Sequence, residues 1–125
     1  MEASEIKRLA SLMKSTLANE PQKLPDNPNF SNLFFDLRAR ELQTLFHFWP
    51  FPQVDTALEI GSGTLVHSTM LAGTAKKYLT LDLVDSHDMN PHDRFKLPHS
   101  LGIENIHPLA ARGERIPLRS ESVDL

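Results

Sequence analysis

The spacing of hydrophobic positions changes character part-way along the chain. In residues 5–18, Ile6, Leu9, Ala10, Met13 and Leu17 fall at offsets of 3, 4, 7 and 11, which is the spacing of one helix face. Ser4 stands where an N-cap hydroxyl would satisfy a free amide. The pattern predicts an amphipathic helix packed on a larger body. Its polar face, with Lys7, Arg8 and Lys14, is not basic enough for a helix lying on a membrane surface. Residues 19–30 hold Pro21, Pro25, Pro28 and Asp26 and read as a loop. A second helix is expected from Ser31 or Asn32 to near Phe48. It carries two apolar stripes, Phe35, Ala39, Leu42, Phe46 and Trp49 on one side and Phe34, Leu37, Leu45 and Phe48 on another. A helix apolar on two sides is normally sandwiched between other elements, so a core role is favoured over an aromatic lid above a substrate pocket.

Pro50-Phe51-Pro52 ends that helix, and the texture changes. Val54 to Ile60 reads as a short, mostly apolar strand running into Gly61-Ser62-Gly63. Residues 64–76 read as a helix, with Gly73, Lys76 and Lys77 near its C-terminus. Tyr78 to Val84 is β-branched, aromatic and apolar, and reads as a second, buried strand. Residues 86–101 are polar and broken by proline, with part of a helix around 92–101. Asn105 to Ala110 suggests a third strand, 111–121 a polar connection, and Val123 the start of a fourth strand. Strands alternating with helical segments predict an α/β fold. The expected architecture is an incomplete Rossmann-like parallel sheet, about three strands plus the start of a fourth, preceded by an N-terminal helical extension. The division falls at 1–52 and 53–125.

Composition narrows the function. The 125 residues include no Cys, which excludes a disulfide scaffold, a Cys-ligated zinc site and a cysteine nucleophile. A net charge of -3 argues against a nucleic-acid binder that works by bulk charge. No apolar run is long enough to span a bilayer. Glu2, Glu5, Lys7 and Arg8 interrupt what would be a signal peptide's apolar core, so a cytoplasmic location is expected. His87-Asp88, His92-Asp93 and His99 match no compact metal signature and read as solvated loop residues, so no metal is expected.

The junction of strand, Gly61-Ser62-Gly63 and helix is the strongest chemical signal. A glycine turn there lets a ligand approach backbone at the carboxyl edge of the sheet. Asp82 follows 19 residues after Gly63, at the tip of the second strand, where an acid can accept hydrogen bonds from a ribose diol; Asp85 is the fallback. A dinucleotide fingerprint would need a third glycine where Val66 stands, and a phosphate loop would need Gly-Lys-Ser/Thr. What is present is Glu59, two residues before the first glycine. An acid there would repel a pyrophosphate and suits a ligand with a cationic end. A ligand with a ribose and a cationic amino-acid end is S-adenosylmethionine.

Leu58-Glu59-Ile60-Gly61-Ser62-Gly63-Thr64 resembles motif I of the class I (Rossmann-like) S-adenosylmethionine-dependent methyltransferases, and Tyr78-Leu79-Thr80-Leu81-Asp82 resembles their second-strand motif. Gly113 to Leu125, through Gly113-Glu114-Arg115-Ile116-Pro117, is similar to the stretch that leads into the fourth strand in the type 11 branch of that family. The likeness covers roughly residues 54–125; residues 1–52 match no known pattern. It implies that Gly61, Ser62 and Gly63 make room for the methionine part of the cofactor. Glu59 would orient its amino group, Asp82 would hold the ribose hydroxyls, and Leu83 would lie against adenine. Gly113 and Glu114 belong to the matching third segment. Two positions depart from the family pattern. Leu65 stands at its third glycine. Arg112 stands where an acid often contacts the adenine amino group, and arginine cannot accept that hydrogen bond.

The resemblance implies methyl transfer to a small-molecule acceptor, with catalytic residues unassigned. Two other readings stand behind it. One is a non-catalytic methyltransferase-like module that associates with itself or a complementing chain through an open sheet edge. The other is a nicotinamide-nucleotide-binding Rossmann enzyme. The far half of the sheet is not found in the 125 residues, so the chain is expected to be the N-terminal portion of a methyltransferase. By itself it is expected to bind S-adenosylmethionine weakly or not at all and to be inactive.

Overall fold

The computed structural model describes residues 3–18, 28–63, 65–83, 98 and 101–125. The chain divides into two compact units, Met1–Phe51 and Pro52–Leu125.

The first unit is built on two helices, α1 (Ala3–Ala18) and α2 (Pro28–Phe48). Ile6, Leu9, Ala10 and Met13 of α1 and Phe35, Ala39 and Leu42 of α2 are buried. Burial of one stripe on each helix is the ordinary driving force for such a pair. A Lys14–Asp36 ion pair at 2.6 Å links the two helices at the surface. α2 starts at Pro28, three residues earlier than the sequence pattern suggests; proline is tolerated in a first helical turn because its missing N–H has no partner there. The second stripe of α2 is not sandwiched: Leu37, Leu45 and Phe48 are exposed.

The second unit contains a three-stranded, all-parallel sheet in the order β1 (Val54–Ile60), β2 (Ala75–Asp82), β3 (Ile106–Ala110). The α/β class and the parallel pairing are those predicted. β2 lies between the other two strands, and Tyr78, Leu79, Thr80 and Leu81 are all buried, as a central parallel strand requires. The connection from β1 to β2 is shorter than predicted. α3 (Val66–Leu71) gives way to a 3₁₀ turn at Ala72–Thr74, and β2 begins at Ala75. Lys76 and Lys77 therefore sit in a strand rather than at a helix end; Lys76 reaches Asp55 at 2.6 Å. Asn105 staples this turn, donating from Nδ2 to the carbonyls of Ala72 (2.7 Å) and Ala75 (2.8 Å).

The two sheet edges differ. On β3, Asn105 accepts from the Tyr78 amide and the Ala111 amide donates to Asp82, so odd-numbered residues face β2. Ile106, Pro108 and Ala110 therefore turn their backbone groups outward, and Pro108 has no amide to offer there. On the outer side of β1, the Asp124 amide donates to the Thr56 carbonyl (2.8 Å) and the Leu58 amide to the Leu125 carbonyl (2.8 Å). The Asp124 carboxylate accepts from the Thr56 amide at 2.8 Å. Residues 124–125 run in the same sense as β1 but are not a regular strand.

Candidate functional site

Parallel pairing brings three strand ends to one edge. Ile60 registers with Leu81, and Asp82 with Ala110. The segment after β1 turns through alternate left-handed residues: Gly61 (φ 76°), Gly63 (φ 50°) and Leu65 (φ 61°). A Cβ on Gly61 would meet nothing within 4 Å, so glycine is required there by conformation and not by crowding. Leu65 is the informative case. It stands where the resemblance places a third glycine, yet it has a left-handed backbone and is 0% exposed. A left-handed turn here carries a core side chain.

Among the described residues, the loop's amides are spent inside the chain. Those of Gly61 and Ser62 both donate to the Leu81 carbonyl, at 2.8 and 3.3 Å, and that of Leu65 donates to the Ser62 carbonyl at 2.9 Å. The Gly63 amide donates to Asp82 Oδ2 at 2.5 Å, while Asp82 Oδ1 accepts from the Leu83 amide at 2.7 Å. Among the described residues this is no cradle of outward N–H groups for a pyrophosphate, and α3, at 6 residues, is too short to supply one.

Glu59 lies on the face of β1 that α3 covers. Ser68 of α3 donates to its Oε2 at 2.6 Å, and the Tyr78 hydroxyl donates to the same oxygen at 3.3 Å. Among the described residues, Oε1 accepts no hydrogen bond and no basic side chain is bonded to the carboxylate. Burial raises the Glu59 carboxyl above its ordinary range; the Ser68 and Tyr78 hydrogen bonds oppose this, and the Asp82 charge reinforces it. Burial raises the Tyr78 phenol strongly, helped by the neighbouring Glu59, so Tyr78 is a donor here and not a base. Thr80, the register partner of Glu59, and Ser62 each bury a hydroxyl that has no hydrogen-bond partner. The interior of the loop thus holds an acidic group and two hydroxyls whose hydrogen-bonding capacity is unused.

The structure brings Glu59, Gly61, Ser62, Gly63, Asp82 and Leu83 to one sheet edge. Gly113 joins them through Ile60: a Cβ on Gly113 would lie 3.4 Å from Ile60 Cγ2. Glu114 follows, exposed, and makes no hydrogen bond or ion pair among the described residues. Ile60 and Leu83 stay exposed at the edge. Comparisons with protein-family models, curated proteins and solved structures find no match. The assignment of a ligand therefore rests on the residues alone. Arg112 is exposed, and its carbonyl accepts from the Arg115 amide at 2.9 Å. Asp85, His87, Asp88, His92, Asp93 and His99 lie outside the described residues. Among the described residues no group of three metal-ligating side chains occurs, and no helix is long and apolar enough to cross a membrane. Sequence reasoning missed Ser68 and Tyr78. Tyr78 was legible only with the register of β2 in hand, since one strand step separates it from the partner of Glu59.

Proposed function

We propose that the sheet unit binds S-adenosylmethionine at the carboxyl edge of β1 and β2 and belongs to a methyltransferase acting on a small-molecule acceptor. One observation carries the reading: Asp82 and Glu59 flank a left-handed glycine loop whose amides are already paired. Such a site repels phosphate and suits a ligand that is cationic at one end and carries hydroxyls at the other. Glu59 Oε1, an acceptor with no donor among the described residues, would take the ammonium, and the buried Ser62 hydroxyl of the same loop lacks a partner. Asp82, held by Gly63, would take the ribose hydroxyls, and Leu83 and Ile60 offer apolar surface to the base. When bound, the cofactor supplies a methyl group on sulfonium, and proximity and orientation carry much of its transfer. No described residue is positioned on a methyl acceptor, so the catalytic role stays unassigned. Arg112 offers no acceptor for adenine, which leaves that contact to backbone groups.

Amide chemical-shift perturbation tests this even for weak binding. Millimolar S-adenosylhomocysteine is expected to move Gly61, Gly63 and Leu83, and Glu59→Gln with Asp82→Ala to abolish the effect. Shifts produced by NAD and not by S-adenosylhomocysteine would overturn the reading in favour of a nicotinamide enzyme. A cytoplasmic location belongs to the same proposal and is checked by cell fractionation.

A further inference from the structure

Five of the seven large apolar residues exposed among the described residues are on α2 and the residue after it. Leu33 is 67% exposed, Leu37 49%, Leu45 40%, Phe48 79% and Trp49 50%. The Trp49 amide donates to the Leu45 carbonyl at 2.8 Å, so the helical ladder carries through to the tryptophan. Isolated exposed leucines are ordinary, but a contiguous stripe of this kind marks an interaction surface.

The order of residues in the stripe identifies the partner. Counted from Glu41, Leu37 and Leu45 lie four residues either side, Phe34 and Phe48 seven, and Leu33 and Trp49 eight. At about 100° per residue these offsets share one face, spanning roughly 160° and about 24 Å of helix. The face is a palindrome: a two-fold axis through Glu41 would set Leu37 level with Leu45 and Phe34 level with Phe48, with Leu33 and Trp49, the latter stacked on Phe51 at 5.0 Å, at the two flanks. Its charges are already neutralised within each helix. Arg38 donates to Glu41 at 2.7 Å and stacks over the Phe34 ring at 5.1 Å, so the acid at the axis brings its own cation. Two copies would assemble two Arg–Glu pairs of zero net charge, ringed by apolar contacts. Isologous interfaces demand this self-complementarity; a groove for an unrelated partner does not.

We propose that α2 is an antiparallel homodimerisation helix, packing against α2 of a second copy of this chain about an axis at Glu41. The proposal is independent of the cofactor reading.

Sedimentation equilibrium of the full chain between about 1 and 100 μM is expected to show a monomer–dimer equilibrium. Leu37→Asp, at an exposed position, is expected to keep the helical circular dichroism and weaken association by about 30-fold or more. A second measurement does not depend on that variant folding. The chain has no cysteine, so Glu41→Cys carries a single thiol, which at the axis faces its own copy. A short bis-maleimide should couple it to dimer much faster than it couples the exposed control Glu104→Cys. A monomer at 100 μM would overturn the proposal, with the stripe then covered within one chain. So would a dimer that Leu37→Asp leaves intact and that couples equally at both cysteines.

Discussion

Leu65 offers a measurement of how far the loop depends on its left-handed turn. The side chain is fully buried and φ is 61°. Truncation to alanine removes a buried isopropyl group, at about 3–5 kcal/mol, and leaves the left-handed strain in place. Truncation to glycine removes the same group and one more methyl, about 0.8 kcal/mol further. It also loosens the unfolded chain, by roughly 0.4–1 kcal/mol. Against this, glycine relieves about 1–2 kcal/mol of left-handed strain. The terms nearly cancel, so Leu65→Gly is expected to be as stable as Leu65→Ala to within about 0.8 kcal/mol. At a right-handed or extended site, with no strain to relieve, glycine would be worse by roughly 1–2 kcal/mol. Urea unfolding is the assay, followed through the single tyrosine, Tyr78, which reports on the sheet unit. Because the core loss approaches the stability of a small unit, both variants are compared in sulfate, which raises the stability baseline. An alanine variant more stable than the glycine variant by 1.5 kcal/mol or so would refute a left-handed Leu65.

Other consequences are open to equally direct checks. Glu59→Gln keeps an acceptor for Ser68 and Tyr78 but buries no charge. The wild-type carboxyl binds its proton more tightly folded than unfolded, where 4.5 is the ordinary value, so its contribution grows as pH falls toward 4.5 and is lost as pH rises through the raised folded value. Thermal unfolding against pH should therefore find the variant at least as stable as wild type at pH 8, with the gap closing toward pH 4.5; a less stable variant at pH 8 contradicts the burial argument. Asn105→Ala removes both bonds to the turn before β2 and is expected to cost about 1–3 kcal/mol, read by the same tyrosine. Asp124→Ala should cost about 0.5–1.5 kcal/mol and speed hydrogen exchange of the Thr56 amide more than that of Leu79, which lies in the central strand.

Much of this fold was legible from pattern. β1 falls on Val54–Ile60 as read, since a run of that length bounded by proline and glycine has few other uses. β3 and α1 are within two residues of expectation. The connection between β1 and β2 was misjudged because Lys76 and Lys77 look like a helix C-terminus. In the fold they are exposed strand positions, and the register Val54 to Ala75 carries β2 back through them. A local charge cue lost to the length of the strand that had to be paired. The glycine–acid pairing was visible as spacing, and the structure turns it into the Gly63–Asp82 hydrogen bond. What spacing could not carry was burial: the Ser68 and Tyr78 bonds to Glu59 depend on α3 folding over one face of the sheet. Nor did composition reveal that Phe35, Ala39 and Leu42 of one stripe are buried while Trp49 of that stripe and Leu37, Leu45 and Phe48 of the other are exposed, because both stripes are apolar.

Pro108 has a consequence for assembly. A parallel sheet with two accepting edges is a monomer in the polymer sense: each molecule can cap the next, and growth along the hydrogen-bond direction has no natural end. With the central outward amide missing from β3, that edge acts as a chain terminator. At the β1 side, Asp124 and Leu125 already hold Thr56 and Leu58. Among the described residues the two ends of the sheet therefore differ, one met by the chain itself and the other lacking a donor at its centre.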